Sequence, residues 1–405
     1  MTGWILIPRA QQTSCANSIH SSKKLSKFIL NISNTITSAL TRCFLLGILL
    51  GFTLVHVSGE AQAAVKKVAK SKHAKKHAKK KISSTQVNYL QWHEVQNFIT
   101  ELSTQQQFNR SYLQDIFKNV RQIDTAIQLV KPAPPGKPKN WKAYRARFVE
   151  NGRIEAGLAF WERNLEALNR AEQEFGVPPE IIVGLIGVET IYGKTTGSFR
   201  AIDVLSTLAF SYPDTPNRDQ RQQFFRKELT ELLLWSREHT LDVFTLKSSY
   251  AGALGLSQFM PSSLRSFAID FDHDGKIDLR ESESDAIGSV ANYLAKHGWK
   301  KGLPDVYPAS LISDNTDPEL LARALGQGLQ AKLSLDQLSN LVSSAEPAIP
   351  KQSLYGLIDL QNGDSPDEYW IVTDNFFAIT HYNRSYFYAM SVIDLGKVIA
   401  LARKK

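Results

Sequence analysis

Cysteine is nearly absent from this chain of 405 residues, which holds two of them, Cys15 and Cys43, near its N-terminus. The rest of the chain must fold without disulfides. Long apolar runs are scarce as well, because the apolar segment 43–57 has about 15 residues and a membrane-spanning helix needs about 20. The informative features of this chain are therefore its charge pattern and a few acidic and glycine-rich segments.

The first 63 residues have the features of an export signal with an unusually long basic region. Four basic residues between Lys23 and Arg42 precede the apolar segment, and Ala61-Gln62-Ala63 follows it as an A-x-A cleavage site. We expect cleavage after Ala63, which would remove both cysteines. An uncleaved membrane anchor is the alternative, and the true start codon stays open.

The positive charge of the chain is concentrated near its N-terminus. The formal net charge of the chain is +9. Residues 1–63 hold five basic side chains and one acidic side chain, a net charge of +4, and the nine lysines in 66–81 add +9. Residues 82–405 therefore carry a net charge of −4. The segment 64–86 has strong self-repulsion and no apolar face, which predicts a disordered Lys-rich arm. This arm is either a solvated tether or an electrostatic contact with an anionic cell envelope. Nucleic acid is not an expected partner of an exported chain.

Hydrophobic periodicity predicts a mainly α, or α+β, fold for residues 87–402. Apolar residues recur at intervals of three and four in 89–130, 153–176, 221–239 and 285–299, as they do in amphipathic helices. Strand character appears only in 354–360 and 368–373, which predicts a β hairpin at about 353–373 with QNGDSPD as its turn.

One acidic residue, Glu189, ends an apolar segment. The run PPEIIVGLIGVET begins with Pro178 and Pro179, which favour a helix start, and stops before Gly193, which favours a helix C-cap. A carboxyl group there is desolvated and lies near the negative end of the helix dipole, and both effects raise its pKa. The pattern predicts a general acid, with a buried structural glutamate as the alternative.

A second segment, GALGLSQFMPSS at 252–263, has the composition of a ligand-binding loop. Its small residues let backbone approach a ligand, and Gln258 offers both a donor and an acceptor. With GVETIYG, this segment resembles the membrane-bound lytic murein transglycosylase B family, glycoside hydrolase family 103. The matching segments, which extend the resemblance over about 88–402, also include YRARFVENGRI (144–154), AEQEFGVPPEIIVG (171–184), DFDHDG (270–275), DAIGSVANYLAKHGW (285–299) and HYNRSYFYAMSV (381–392).

The resemblance implies a lysozyme-like catalytic core with an additional helical region. It implies non-hydrolytic cleavage of the β-1,4 bond between N-acetylmuramic acid and N-acetylglucosamine in peptidoglycan, with 1,6-anhydromuramic ends, for cell-wall remodelling or turnover. Glu189 would be the catalytic residue. The saccharide cleft around it would be lined by Ser249, Gln258, Tyr293, Tyr382, Asn383 and Tyr388.

The resemblance also bears on location and partners. Family members are often lipoproteins with a cysteine just after the apolar run, and no cysteine follows that run here. We therefore expect a soluble periplasmic form, with membrane association as the alternative. We also expect a monomer that acts on glycan strands. The segment TPNRDQR (215–221) is less basic than in relatives, so contacts with the stem peptide stay open.

Residues 270–281, DFDHDGKIDLRE, have the spacing of an EF-hand loop. Oxygen ligands fall at alternate positions, and Gly275 permits the sharp turn. The predicted ligands are Asp270, Asp272, Asp274, Lys276 through its carbonyl, Asp278 and Glu281. Such a site favours Ca²⁺ in a structural and not a catalytic role, as the resemblance also implies. An acidic surface loop is the alternative.

Two other functions stay open at the level of the sequence. A hydrolytic muramidase would need a second carboxylate, and Asp203, Glu228 and Glu231 are the nearest candidates along the chain. The other is a non-catalytic wall-binding or calcium-dependent scaffold protein. The simplest mark of such a protein would be loss of the catalytic acid, and Glu189 is present in this chain.

Overall fold

The computed structural model describes residues 84–85, 87–132, 138–312, 316–345 and 349–404. The predicted signal peptide (1–63) and nearly all of the predicted Lys-rich arm (64–86) lie outside the described residues. Within the described part, no helix combines the length and the apolarity that a membrane span requires.

The described chain is mainly helical, as the periodicity predicts. A 3-10 turn, Tyr89–Gln91, precedes the helices, which in chain order are α1 (His93–Gln105), α2 (Arg110–Asn119), α3 (Asp124–Leu129), α4 (Trp141–Arg145), α5 (Asn151–Arg163), α6 (Leu165–Phe175), α7 (Pro179–Thr190), α8 (Ala201–Phe210), α9 (Arg218–Glu238), α10 (Pro261–Phe267), α11 (Glu283–Lys296), α12 (Pro318–Leu325), α13 (Leu335–Leu338), α14 (Asp374–Thr380) and α15 (Tyr386–Arg403). The strands are β1 (Ser84–Thr85), β2 (Gln122–Ile123), β3 (Phe199–Arg200), β4 (Lys247–Ser248), β5 (Val306–Leu311), β6 (Val342–Ser343), β7 (Gly356–Asn362) and β8 (Ser365–Val372).

The larger hydrophobic cluster surrounds α7, which is apolar on all sides and therefore buried on all sides. Helices α5, α6, α11, α14 and α15 supply the residues around it. The helices α1, α2 and α3 pack with α8 and α9 in a second cluster, in which Phe98 and Phe117 contact Phe210 edge-on. The apolar surface of α8 is thereby fully buried as well.

Two glycines allow α7 and α15 to cross at close range. A Cβ atom on Gly184 would collide with the carbonyl oxygen of Val392, and one on Gly396 would collide with the carbonyl oxygen of Glu180. No other residue type fits at these positions without moving a helix. The crossing matters for the site because Glu189 lies on α7 and Tyr388 lies on α15.

The predicted hairpin forms part of a larger antiparallel sheet with strand order β6-β5-β8-β7. Strands β7 and β8 are longer than the sequence indicates, because Gln361, Asn362 and Ser365 belong to the strands and Gly363, at φ 64, turns the chain. Asn362 is polar and yet buried. Its burial is tolerated because its side-chain oxygen accepts a hydrogen bond from the Lys142 amide at 3.0 Å. Strands β5 and β6 were not predicted.

Candidate active site

Glu189 lies in the last turn of α7, and the backbone that follows it is unusual. Ile191 (φ 53), Tyr192 (φ 54) and Gly193 (φ 90) are all in the left-handed region. A β-branched residue such as isoleucine is strained in this conformation, and strain of this kind concentrates at functional sites. The Thr190 hydroxyl donates a hydrogen bond to the Leu256 carbonyl at 2.9 Å and so ties the end of α7 to the loop 252–258.

The loop 252–258 needs two of its glycines. Gly255 has φ 73, and a Cβ atom there would overlap the carbonyl of Leu279. Gly252 has φ 90, and a Cβ atom there would overlap the side chain of Leu205. Gln258 also has positive φ, and its side-chain amide donates to the Gly255 carbonyl at 2.9 Å and to the Thr196 carbonyl at 3.2 Å. Gln258 therefore joins the loop to the segment that follows Glu189.

A cleft of about 740 Å³ lies in front of Glu189. Six of the seven residues predicted for the site line it: Glu189, Ser249, Gln258, Tyr293, Tyr382 and Asn383. The seventh, Tyr388, is buried, and its hydroxyl donates a hydrogen bond to Oε1 of Glu189. The structure thus brings together residues that lie up to 199 positions apart in the sequence.

Burial raises the pKa of Glu189 to about 7, and the hydrogen bond from Tyr388 acts in the opposite direction. The carboxyl group is only partly accessible to solvent from the cleft. Desolvation penalises the charged form, whereas the tyrosine hydroxyl stabilises it. Glu189 is therefore poised near neutrality, where a single group can both give and take a proton.

Aromatic side chains form one wall of the cleft. Tyr293 and Tyr382 contact edge-on, with ring centroids 4.8 Å apart, and both pack against Phe259. The Tyr382 hydroxyl donates to the Ser257 carbonyl at 2.7 Å. Burial raises the pKa of Tyr293 to about 12, and burial, followed by the charge of Glu189, raises the pKa of Tyr382 and Tyr388 well above the usual range. These phenols stay neutral.

The three carboxylates that could serve as the second catalytic group of a hydrolase all form hydrogen bonds or ion pairs within the protein. Glu228 lines the cleft, but its oxygens accept hydrogen bonds from the Ser262 amide and hydroxyl, both at 2.8 Å, at the start of α10. Asp203 pairs with Arg200 at 2.6 Å, and Glu231 pairs with Arg265. Neither Asp203 nor Glu231 lines the cleft.

The acidic loop 270–281 gathers a different set of carboxylates from the set that its spacing predicts. Oxygens of Asp270, Asp272 and Asp285 lie within 4.8 Å of one another. Asp285 is buried in α11 and accepts hydrogen bonds from the Phe271 amide at 2.8 Å and the Asp278 amide at 2.7 Å. Glu281 is 78% exposed, pairs with Arg280 at 3.3 Å and is not one of these three residues.

The other predicted ligands of the loop make local turns. Asp274 accepts from the Lys276 amide at 2.8 Å, and Asp278 accepts from the Arg280 amide at 2.9 Å. Gly275 has φ 86 with open space around it, as the turn requires. Asp285 escaped the sequence analysis because an EF-hand template ends at its twelfth position, Glu281.

Several residues of the cleft had no signal in the sequence. Arg221, Phe224 and Tyr250 line it, and the last two are 39% and 41% exposed, which is unusual for aromatic rings. Tyr144, on α4, lies outside this lining; burial raises its pKa, the charge of Arg147 lowers it, and the charge of Glu189 raises it. Tyr144 lies in one of the matching segments, but a match does not show which side chain faces the site.

Comparison with known proteins decides the family. Residues 91–397 match the model of the transglycosylase SLT domain. The chain belongs to this transglycosylase family. Membrane-bound lytic murein transglycosylase B of Escherichia coli (strain K12) is 39% identical over 317 residues, which cover 76% of this chain and 83% of that protein.

Solved structures show the same fold. Soluble lytic transglycosylase SltB1 from Pseudomonas aeruginosa is 41% identical with a TM-score of 0.68, over 77% of this transglycosylase and 100% of the other chain. Slt35 from Escherichia coli, solved in complex with calcium, is 37% identical with a TM-score of 0.69, over 80% and 97% of the two chains. The family, the lysozyme-like fold and the peptidoglycan-cleaving activity predicted from the sequence are confirmed.

Proposed function

We propose that this transglycosylase uses Glu189 alone for both proton transfers of the cleavage. The protonated carboxyl donates its proton to the bridging oxygen of the β-1,4 bond, and the N-acetylglucosamine leaves as that bond breaks. The resulting Glu189 carboxylate then takes the proton of the muramic C6 hydroxyl. The oxygen of that hydroxyl bonds to C1 of the same sugar, which gives the 1,6-anhydro ring. Glu189 ends in its starting protonation state.

The observation that carries this proposal concerns the described residues that line the cleft: Glu189 is a poised acid, and no second carboxylate among them is free of hydrogen bonds. A hydrolase needs a carboxylate to attack the sugar or to activate water. Among the described residues that line the cleft, Glu228 is the other acid, and the Ser262 hydrogen bonds hold both its oxygens. An intramolecular hydroxyl needs no such group.

The remaining site residues support positioning of the sugar. Tyr388 holds Glu189 by its hydroxyl, while Tyr382 and Tyr293 form the aromatic wall against which a sugar ring can stack. Ser249, Gln258 and Asn383 present hydroxyl and amide groups at the cleft, where a saccharide offers hydroxyl and acetamido groups. These roles are part of the proposal.

The acidic loop is suited to a structural Ca²⁺. Asp270, Asp272 and Asp285 supply hard oxygen donors at close range, and such donors are those that Ca²⁺ prefers. The loop is joined to the site because the Leu256 amide donates to the Leu279 carbonyl at 2.7 Å. Bound calcium would hold the loop 252–258 through this contact, and it takes no part in the proton transfers.

We place the enzyme in the cell envelope, as the relatedness to a membrane-bound transglycosylase indicates. A processed, periplasmic monomer acting on glycan strands remains the specific proposal, and it rests on the sequence of residues 1–63.

The test of the proposed reaction is the mass of the products from purified sacculi. Anhydro ends are one water lighter than hydrolysed ends, and we expect the fragments that the enzyme releases to carry them. Fragments with ordinary reducing ends would instead identify a muramidase.

A further inference from the structure

Sulfur occurs at very few positions in this chain. The predicted signal peptide holds both cysteines, Cys15 and Cys43, and the first methionine, Met1. The two remaining methionines, Met260 and Met390, have different environments. Met390 lies on α15 and is 1% exposed, whereas Met260 is partly exposed and lines the catalytic cleft. Met260 is therefore the methionine that a small reagent can reach from the cleft.

Met260 also belongs to the apolar packing beside the cleft. Its side chain packs against the hydrophobic cluster to which α8 and α9 contribute. A thioether suits this place because it is apolar and flexible. Oxidation of the thioether to a sulfoxide makes the side chain polar and chiral, which disrupts apolar contacts of this kind. The sulfoxide of Met260 would therefore leave this contact and change the wall of the cleft.

The backbone around Met260 supports the loop 252–258. The preceding residue, Phe259, pairs with Leu254 of that loop through two backbone hydrogen bonds, at 2.8 and 3.0 Å. Met260 itself is the N-cap of α10, and its carbonyl accepts a hydrogen bond from the Leu264 amide at 2.9 Å. A displaced Met260 side chain would therefore act on both the loop and the start of α10.

We propose that Met260 is an oxidation site, and that its conversion to methionine sulfoxide by a small peroxide lowers the activity of the enzyme. The sulfur attacks one oxygen of hydrogen peroxide, and the O–O bond breaks. The sulfur keeps that oxygen and is oxidised, while the other oxygen is reduced and leaves as water with both protons. Methionine sulfoxide reductases reverse this change, so the site can act as a switch. The inference rests on the proposed function, because it adds regulation to the same cleft.

The experiment treats the purified enzyme with hydrogen peroxide, removes the peroxide with catalase, and then measures peptide masses and activity on sacculi. We expect the peptide that contains Met260 to gain one oxygen atom and the peptide that contains Met390 to stay unchanged. The kcat/KM should fall about tenfold, chiefly through a higher KM, because the altered wall binds the glycan strand less well. Incubation with methionine sulfoxide reductases A and B should restore it.

The variant M260L separates this site from other targets of peroxide. Leucine replaces methionine at similar volume but has no sulfur, so peroxide should leave the kcat/KM of M260L at its own untreated value. The matched control is M390L, which removes the buried methionine and keeps Met260. Peroxide should lower the kcat/KM of M390L as much as that of the unmodified enzyme.

Any of four results would overturn the inference: oxidation of Met390 ahead of Met260, full activity with Met260 oxidised, an equal loss in M260L, or a loss that the reductases do not reverse. Binding of glycan strands by the E189Q protein, before and after peroxide, repeats the comparison without turnover. If the unmodified enzyme released no anhydro ends, the proposed function would fail, and these binding measurements would still decide the inference.

Discussion

At Glu189, burial and the hydrogen bond from Tyr388 act on the pKa in opposite directions. The first step needs the protonated form, so the rate should fall as the pH rises through about 7. Tyr388→Phe removes the group that stabilises the carboxylate, which raises the pKa further. We expect its alkaline limb to move to higher pH, measured as kcat/KM against pH. A limb that stays in place, or moves to lower pH, would contradict the assigned contact.

The same pKa links Glu189 to stability. Its folded pKa of about 7 exceeds the ordinary 4.5, so between these values the folded state binds more protons and stability falls as the pH rises. Glu189→Gln removes this cost. Its free energy of unfolding should exceed that of the unmodified protein at pH 8 by up to about 3 kcal/mol, with little difference at pH 4. Urea denaturation at both pH values measures it, and a pH-independent difference would contradict the assigned pKa.

Single residues differ in how far the sequence reveals them. The position of Glu189 at the end of an apolar helix was predictable, because a charge there is anomalous on its own; its catalytic role stays a prediction. The hydrogen bond from Tyr388 comes from a residue 199 positions away and depends on how α7 crosses α15. Phe224 and Tyr250 face solvent in the cleft, and nothing in their local sequence distinguishes them from core residues.

At the scale of elements, the crossing of α7 and α15 sets the position of the acid. Gly184→Ala would place a methyl group against the Val392 carbonyl, so the helices must separate. We expect a loss of about 1–3 kcal/mol in the free energy of unfolding, together with reduced kcat. Gly152→Ala is the control, because its Cβ would meet only the flexible side chain of Glu150, at 3.2 Å. Equal stability of the two variants would show that the crossing is not tight.

Calcium should stabilise the loop 270–281 and α11. Extracellular hands bind at about 10⁻⁴ to 10⁻³ M, so calcium at tenfold excess over Kd should add about 1.4 kcal/mol to the free energy of unfolding, and magnesium much less. Thermal melting with calcium and with chelator measures the difference. Asp272→Asn should remove the response. Glu281→Gln should keep the stabilisation by calcium, because Glu281 pairs with Arg280. If this variant lost the calcium response, the result would support the predicted role of Glu281 as a ligand.

Elements with a strong local pattern were predictable, and those that depend on distant partners were not. The hairpin of β7 and β8 has alternating residues and a turn, whereas β5 pairs with β8 across about sixty intervening residues. Asp285 joins the acidic loop from the following helix, beyond the end of the sequence template.

For the whole molecule, the segments that resembled the family predicted the fold class and the reaction, because short runs such as GVETIYG combine a strained backbone with a reactive group. A cavity of about 780 Å³ was beyond the sequence, since its lining combines α4 and the residues that flank it, Leu329, β7 and the start of α15 with the residues before it. The export signal and the Lys-rich arm stay predictions, as they lie outside the described residues.

The central claim is that one acid suffices because a hydroxyl of the sugar, and not water, attacks C1. Digestion of purified sacculi in water enriched in a heavy oxygen isotope tests this claim most directly. The account predicts anhydro ends that contain no heavy oxygen from the unmodified enzyme, and no released fragments from the E189Q protein. Heavy oxygen at C1 of the new muramic ends, or substantial turnover by E189Q, would contradict it.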